Sequence, residues 1–114
     1  MVTENVFIPS YTAGRDIIIK MTKAGVGILY VGDSFELIGI ITDGDLRRGI
    51  DKFGGNFFDI NASQICNKRP LILDHKCTIN EAIKLLVQRK VVAAPVQENN
   101  EIIGTVRLID LEKI

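Results

Sequence analysis

The sequence has no excess of charge of either sign: 14 lysines and arginines balance 14 aspartates and glutamates over 114 residues. Binding to DNA or RNA normally leaves a basic surplus, so no nucleic-acid partner is expected. No apolar run approaches the roughly 18 residues that a membrane-crossing helix needs. Met1-Val2-Thr3-Glu4 has neither the basic start nor the apolar core of a signal peptide, so a cytoplasmic location and no membrane partner are expected. Cysteine is scarce. Cys66 and Cys77 form no Cys-x-x-Cys and have no histidine at ligand spacing, which argues against a zinc site and suits free thiols in a reducing compartment. The one histidine, His75, sits between Asp74 and Lys76 in a polar stretch with no evident partner for acid–base work. Neither a Gly-x-Ser-x-Gly elbow nor a P-loop is present. No catalytic residue and no metal ligand is assigned.

What the chain does contain is a repeat. Shifted by 65 residues without a gap, the 21 positions from Val26 to Leu46 give seven identities: Val26/Val91, Val31/Val96, Glu36/Glu101, Ile38/Ile103, Gly39/Gly104, Asp45/Asp110 and Leu46/Leu111. Random matching at average residue frequencies gives roughly one or two. The register continues upstream through Asp16/Glu81 and Ile18/Ile83.

Each copy reads as strand, helix, strand, strand, helix, an α/β (α+β) pattern. In the first, Asn5–Ile8 is extended, and Thr12 is placed to cap a helix from about Ala13 to Lys23 that buries Ile17, Ile18, Met21 and Ala24. Gly25 stands where a left-handed stop is wanted. Gly27–Val31 and Leu37–Ile41 read as strands around a Gly32-Asp33-Ser34 turn, and Thr42 or Asp43 caps a short helix through Ile50. In the second, Leu71–Leu73 is extended and Thr78 with Glu81 spells a capping box for a helix to about Arg89 with Ile79, Ala82, Ile83 and Leu86 inward. Val91–Val96 and Glu101–Val106 follow as strands, with a last helical turn near Ile109. The connector, Lys52 to Pro70, carries Phe57-Phe58, expected to pack across the two units, and a short helix near Asn61. The boundaries are drawn at 1–58 and 59–114. A lone unit would leave one sheet face bare, so the two are expected to interlock about a pseudo-twofold axis.

Most chemistry lies in Gly39-Ile40-Ile41-Thr42-Asp43-Gly44-Asp45-Leu46-Arg47-Arg48, where a strand gives way to a helix. A helix start presents free N–H donors and partial positive charge, which suits phosphate. Thr42 can offer its hydroxyl to a phosphate, Asp45 can accept from both hydroxyls of a ribose, and Gly44 lets a ligand approach the backbone. The plain alternative is that Thr42 and Asp43 are caps and Asp45 a first-turn acid. Arg47 and Arg48 read as a solvated face, with a partner domain or a ligand phosphate as the other reading. In the second copy Asp110 persists, but Arg107 replaces the threonine; an arginine there either pairs with phosphate bidentately or fills the cleft.

Two units of this order, each with Gly-h-h-x-x-x-Asp-Leu (h, hydrophobic), resemble a tandem CBS domain pair, or Bateman module, over essentially the whole chain. The string Gly-h-h-Thr-Asp-Gly-Asp-Leu-Arg-Arg is similar to the C-terminal module of arabinose 5-phosphate isomerases of the KpsF/KdsD type. Some sugar nucleotidyltransferases carry a near-identical string and are the competing parent. The closing Arg107-Leu108-Ile109-Asp110-Leu111 departs from the isomerases' His-x-His-Asp-Leu-Leu in lacking both histidines. The resemblance implies a regulatory module, not an enzyme by itself, with an N-terminal sugar isomerase (SIS) domain absent from these residues. The parent would feed Kdo synthesis for lipopolysaccharide or capsule. It implies a nucleotide or nucleotide-sugar (AMP, ATP or CMP-Kdo) held in the inter-repeat cleft by Thr42 and Asp45, with no obligatory cofactor. Gly25-Val26-Gly27 and Phe7-Ile8 would flank the base; Val92-Ala93-Ala94-Pro95 and Asp110 are the matching positions of the second cleft. It also implies a homodimer through the pair. A structural dimerisation module with no ligand is the alternative.

Overall fold

The computed structural model describes residues 1–3 and 5–113. In chain order the elements are β1 (Phe7–Ile8), α1 (Gly14–Ala24), β2 (Ile28–Gly32), β3 (Leu37–Thr42) and α2 (Asp43–Phe53); then a 3-10 turn (Gly54–Asp59) and α3 (Ala62–Ile65); then β4 (Leu73–Asp74), α4 (Ile79–Arg89), β5 (Ala93–Glu98), β6 (Glu101–Arg107) and α5 (Leu108–Leu111). The expected β-α-β-β-α order is therefore present twice. Each copy builds a three-stranded sheet, an antiparallel hairpin with a short parallel strand beside it, in the orders β1-β2-β3 and β4-β5-β6. The ladders carry the same irregularity at the same place, between Val31 and Gly32 and between Val96 and Gln97. Packing divides the chain into two units, Val6–Arg69 and Met1–Asn5 together with Pro70–Ile114.

In the first unit, Ile8, Ile17, Met21, Leu29, Val31, Ile41 and Ala62 form the core. Alternation along β2 turns Leu29 and Val31 toward α1, where Ile17 and Met21 lie one turn apart. Thr12 does not cap α1. Its hydroxyl donates to the Pro9 carbonyl at 2.8 Å, and Ala13 holds the N-cap position. The Gly14 N–H is instead satisfied by the Ile60 carbonyl at 2.9 Å, so the connector does what a capping side chain would. α2 runs on past Ile50 to Phe53. Phe57 is buried in this unit, with its carbonyl against Gly14 and its ring against Gly49, while Phe58 is exposed with the Arg15 guanidinium 5.4 Å over its ring.

In the second unit, Leu73, Ala82, Leu86, Ala94 and Val96 form the core. Ile79, expected inward, is 42% exposed because it opens the helix before the turn that meets the sheet. The Thr78 hydroxyl oxygen accepts from the Glu81 N–H at 3.2 Å, but the Glu81 carboxylate takes the Thr78 hydroxyl proton at 3.0 Å, so the reciprocal half of a capping box is missing. Asn99 and Asn100, with φ of 51° and 64°, close the hairpin as a left-handed pair, which asparagine tolerates better than most residues.

Both sheets are finished by a segment from elsewhere in the sequence. Asn67 bridges Ile40 in the first unit, with hydrogen bonds of 2.8 and 3.0 Å; Val2 bridges Thr105 in the second, with two of 2.8 Å. These pairs obey the 65-residue shift, so the repeat reaches back to Val2/Asn67. The crossing explains one identity: a methyl group on Gly39 would lie 2.5 Å from the Asn67 carbonyl oxygen, and one on Gly104 2.9 Å from that of Val2.

The helices α1 and α4 end at equivalent left-handed residues, Gly25 (φ 69°) and Lys90 (φ 55°). A lysine there bears the left-handed strain that glycine avoids. Lys90→Gly is expected to stabilise the protein by about 0.5–1 kcal/mol and Gly25→Ala to destabilise it by about 1 kcal/mol. Urea unfolding of the two variants checks both signs.

Candidate ligand site at the first strand–helix junction

Where β3 passes into α2, three side chains converge on one another. Thr42 ends the strand with extended backbone, and its hydroxyl oxygen accepts from the Asp45 N–H at 3.2 Å. The Asp45 carboxylate answers from the third helical position, accepting at Oδ2 from the Thr42 N–H and the Thr42 hydroxyl, each at 3.0 Å. This is a closed capping box of the Thr-x-x-Asp kind. Arg48 lies one turn on, and its Nη2 donates to Asp45 Oδ1 at 2.7 Å. The Asp45 side chain is only 14% exposed and that of Arg48 73%, so Arg48 closes over the carboxylate from the solvent side. The solvated-face expectation holds for the exposed guanidinium but missed this contact; the three-residue spacing along a helix was its signal.

Gly27 completes the junction. Its carbonyl accepts from the Asp43 N–H at 3.2 Å, and a methyl group on it would lie 2.8 Å from Asp43 Oδ2, so the Gly25-Val26-Gly27 segment runs against the helix start. Its φ of 76° is a second reason for glycine. Gly44 occupies the second helical position, where an added methyl group would meet the Arg48 guanidinium at 3.2 Å. Beside Asp45 and Arg48 opens a hollow of about 140 Å³ that reaches Gly49, Lys52 and Gln64.

Phe7 stacks on Tyr30, 5.2 Å between ring centroids. Ile8 is fully buried in the core, which leaves only its backbone for a ligand. Ala93 and Pro95 are likewise buried on β5, with Ala93 paired to Arg107 in register.

The second junction repeats the backbone but not the chemistry. Leu108 N–H donates to the Val92 carbonyl at 2.8 Å, as Asp43 does to Gly27. Arg107, in the place of Thr42, donates from Nε and Nη2 to the two oxygens of Asp110 at 2.7 and 3.2 Å. Those hydrogen bonds, aided by the arginine's charge and by Lys113, hold the Asp110 carboxyl below its ordinary range against an opposing effect of burial. Burial pushes both thiols up, Cys66 and Cys77 alike, which suits inert side chains more than nucleophiles.

The duplicated α/β unit, the doubly finished sheets and the Gly-h-h-x-x-x-Asp-Leu junctions agree with a direct comparison, in which the profile of the CBS domain matches residues 1–52 and 62–114. The chain belongs to the CBS-domain family. As a CBS pair it is similar to arabinose 5-phosphate isomerase GutQ of Salmonella typhi, 32% identical over 101 residues that cover 87% of this chain and 31% of that protein. GutQ of Escherichia coli (strain K12) is 30% identical over 97 residues, covering 83% and 30%. The CBS pair thus spans about a third of the length of these curated relatives. Among solved structures, the CBS domain NE2398 matches with a TM-score of 0.90 at 23% identity, over 97% of this chain and 87% of that one. CBSX2, solved in complex with AMP, matches with a TM-score of 0.80 at 19% identity, over 96% and 86%. At such identities the likeness concerns the fold.

A depressed carboxyl stabilises the folded state above the pKa of the unfolded chain, and that contribution fades as pH falls through the folded value. Arg107→Met removes both the hydrogen bonds and the charge, so the Asp110 titration midpoint is expected to rise toward the ordinary carboxylate value. Carboxyl carbon-13 NMR of wild type and variant reads the shift directly.

Proposed function

We propose that this CBS pair is the ligand-sensing, regulatory part of a longer arabinose 5-phosphate isomerase, and that a nucleotide or nucleotide-sugar binds at the first strand–helix junction. The observation that carries the reading is the union, at the N-terminus of the eleven-residue helix α2, of a hydroxyl, a carboxylate and a glycine backbone. In the bound state the α2 amides and the Thr42 hydroxyl meet a phosphate, while Asp45 accepts from the ribose hydroxyls. Gly44 gives backbone access; Gly25, Val26, Gly27, Phe7 and Ile8 border the base. Binding exchanges the cap hydrogen bonds and the Arg48 contact for ligand contacts. The second junction, with Ala93, Pro95, Arg107 and Asp110, is altered: its arginine already holds the aspartate.

AMP and ATP are the first candidates, since the neighbour CBSX2 was solved with AMP. CMP-Kdo is the other, as an end product acting back on an early step of Kdo synthesis. The isomerase chemistry belongs to an SIS domain ahead of the pair in a cytoplasmic parent that dimerises through this module, with repeats drawn at 1–58 and 59–114. A ligand shifts the parent's activity only through unequal affinity for two arrangements of the module. A second reading, a purely structural dimerisation module in an isomerase or a sugar nucleotidyltransferase, is favoured by one observation: Thr42 and Asp45 already satisfy each other.

Isothermal calorimetry with AMP, ATP, CMP and CMP-Kdo separates the two. The sensor reading expects saturable heat with at least one, weakened about tenfold or more by Asp45→Ala and by the matching 2′-deoxynucleotide. The deoxy ligand tests ribose recognition without touching the fold. No heat with any of the four, alongside a stable dimer in light scattering, establishes the structural module instead.

A further inference from the structure

The first junction carries a cation of its own. Arg48 lies one turn into α2, and its Nη2 donates to Asp45 Oδ1 at 2.7 Å. The same guanidinium lies over Gly44: a methyl group on that residue would stand 3.2 Å from Nη1, 3.5 Å from Nη2 and 3.7 Å from the guanidinium carbon. The glycine therefore makes room for the head of the arginine, which covers the backbone that a ligand has to approach. The carboxylate is engaged as well. Asp45 Oδ2 accepts from the Thr42 N–H and hydroxyl, and Oδ1 takes Arg48.

The charge at this helix start is also set before any ligand arrives. Asp43 and Asp45 both lie in the first turn and answer the partial positive charge of the helix end. A phosphate there meets two like charges, so its binding calls for a cation. Arg48 is placed to supply one. Its guanidinium makes a single hydrogen bond among the described residues, and its side chain is 73% exposed. An exposed pair of this kind costs little to part, and a guanidinium makes planar two-point contact with phosphate. The second junction differs on each count. Arg107 commits two hydrogen bonds to Asp110, Ile109 stands in the place of Gly44, and Lys113 in that of Arg48.

We propose that Arg48 is a latch that selects for an anionic ligand: it rests on Asp45 over Gly44, and a ligand joining a vicinal diol to a phosphate draws it off the carboxylate and onto the phosphate. A neutral nucleoside has nothing to offer the guanidinium and must displace it unaided. Arg48 thus sets the preference for nucleotide over nucleoside, an inference that rests on the ligand reading of this junction and adds to it the residue that discriminates.

The test is calorimetry with AMP, ATP, CMP and CMP-Kdo, each beside its nucleoside, adenosine or cytidine, on wild type, Arg48→Met and Arg47→Met. Methionine keeps an unbranched stem and loses the charge and the donors, at a position exposed enough to spare the fold. Arg47→Met removes the same unit charge from the neighbouring residue, which is exposed and forms no ion pair among the described residues. Wild type is expected to bind at least one nucleotide more tightly than its nucleoside by about tenfold or more. In Arg48→Met that nucleotide weakens while the nucleoside holds or tightens, so the two affinities converge; Arg47→Met keeps them apart. Wild type that binds nucleoside as tightly as nucleotide overturns the proposal. So does a preference that survives Arg48→Met, an equal loss of both ligands in that variant, or an equal convergence in Arg47→Met. In each of these cases the sensor reading stands while the latch falls. No heat from any ligand with any of the three proteins overturns the sensor reading, and the latch with it.

Discussion

Everything in each unit is organised around an extended segment crossing the open edge of a three-stranded sheet directly above a glycine. The crossing supplies two backbone hydrogen bonds at Ile40 or Thr105, removes an edge that would otherwise offer unpaired donors and acceptors, and leaves no room for a side chain beneath it. Gly39 and Gly104 are the price of that closeness. The segments are exchanged relative to the sequence order: the N-terminal residues finish the unit of the later strands, and the connector finishes the unit of the earlier ones. Duplication alone would give two similar sheets. The exchange makes each complete only with chain drawn from the neighbouring copy.

The same architecture brings the strand β3 to an abrupt end at the helix α2, and there helix stability and the proposed ligand contacts draw on the same atoms. Thr42 and Asp45 cap the helix for each other, and Arg48 secures the carboxylate. A ligand at this junction therefore competes with contacts of the protein's own, each a modest charge-assisted or neutral hydrogen bond. At the second junction the competition is stiffer, since two hydrogen bonds from one rigid guanidinium hold Asp110. Copies that began alike have come to differ in how readily their junctions can open.

Much of the fold was legible because the signals were periodic or covalent. The 65-residue identity, the apolar strands and the Gly25 stop all depend on local chain properties that sequence displays. Thr42 as a cap was legible for the same reason. What escaped were contacts between distant segments: Thr12 looked like a cap, but the Ile60 carbonyl already served Gly14; Phe57 looked free to bridge, but Gly14 and Gly49 made space for it at home. An exposed basic residue is usually solvated, and only the folded geometry brings the Arg48 guanidinium onto Asp45. At the proposed ligand site, residue types were readable in advance, whereas the buried state of Ile8, Ala93 and Pro95 required the packed structure.

The exchanged segments also set an order of assembly. The unit Val6–Arg69 is contiguous, so its finishing bridge between Ile40 and Asn67 closes a short loop and can form as soon as the connector exists. The bridge between Val2 and Thr105 spans nearly the whole chain, a loop roughly fourfold longer, at an added closure cost of about 1.2 kcal/mol. The amino-terminal residues thus wait, unpaired, until the last strand has emerged. The segment around Val2, made before the rest of the pair, is among the last parts of the pair to find its place, and one half of the pair can mature while the other is still a nascent chain.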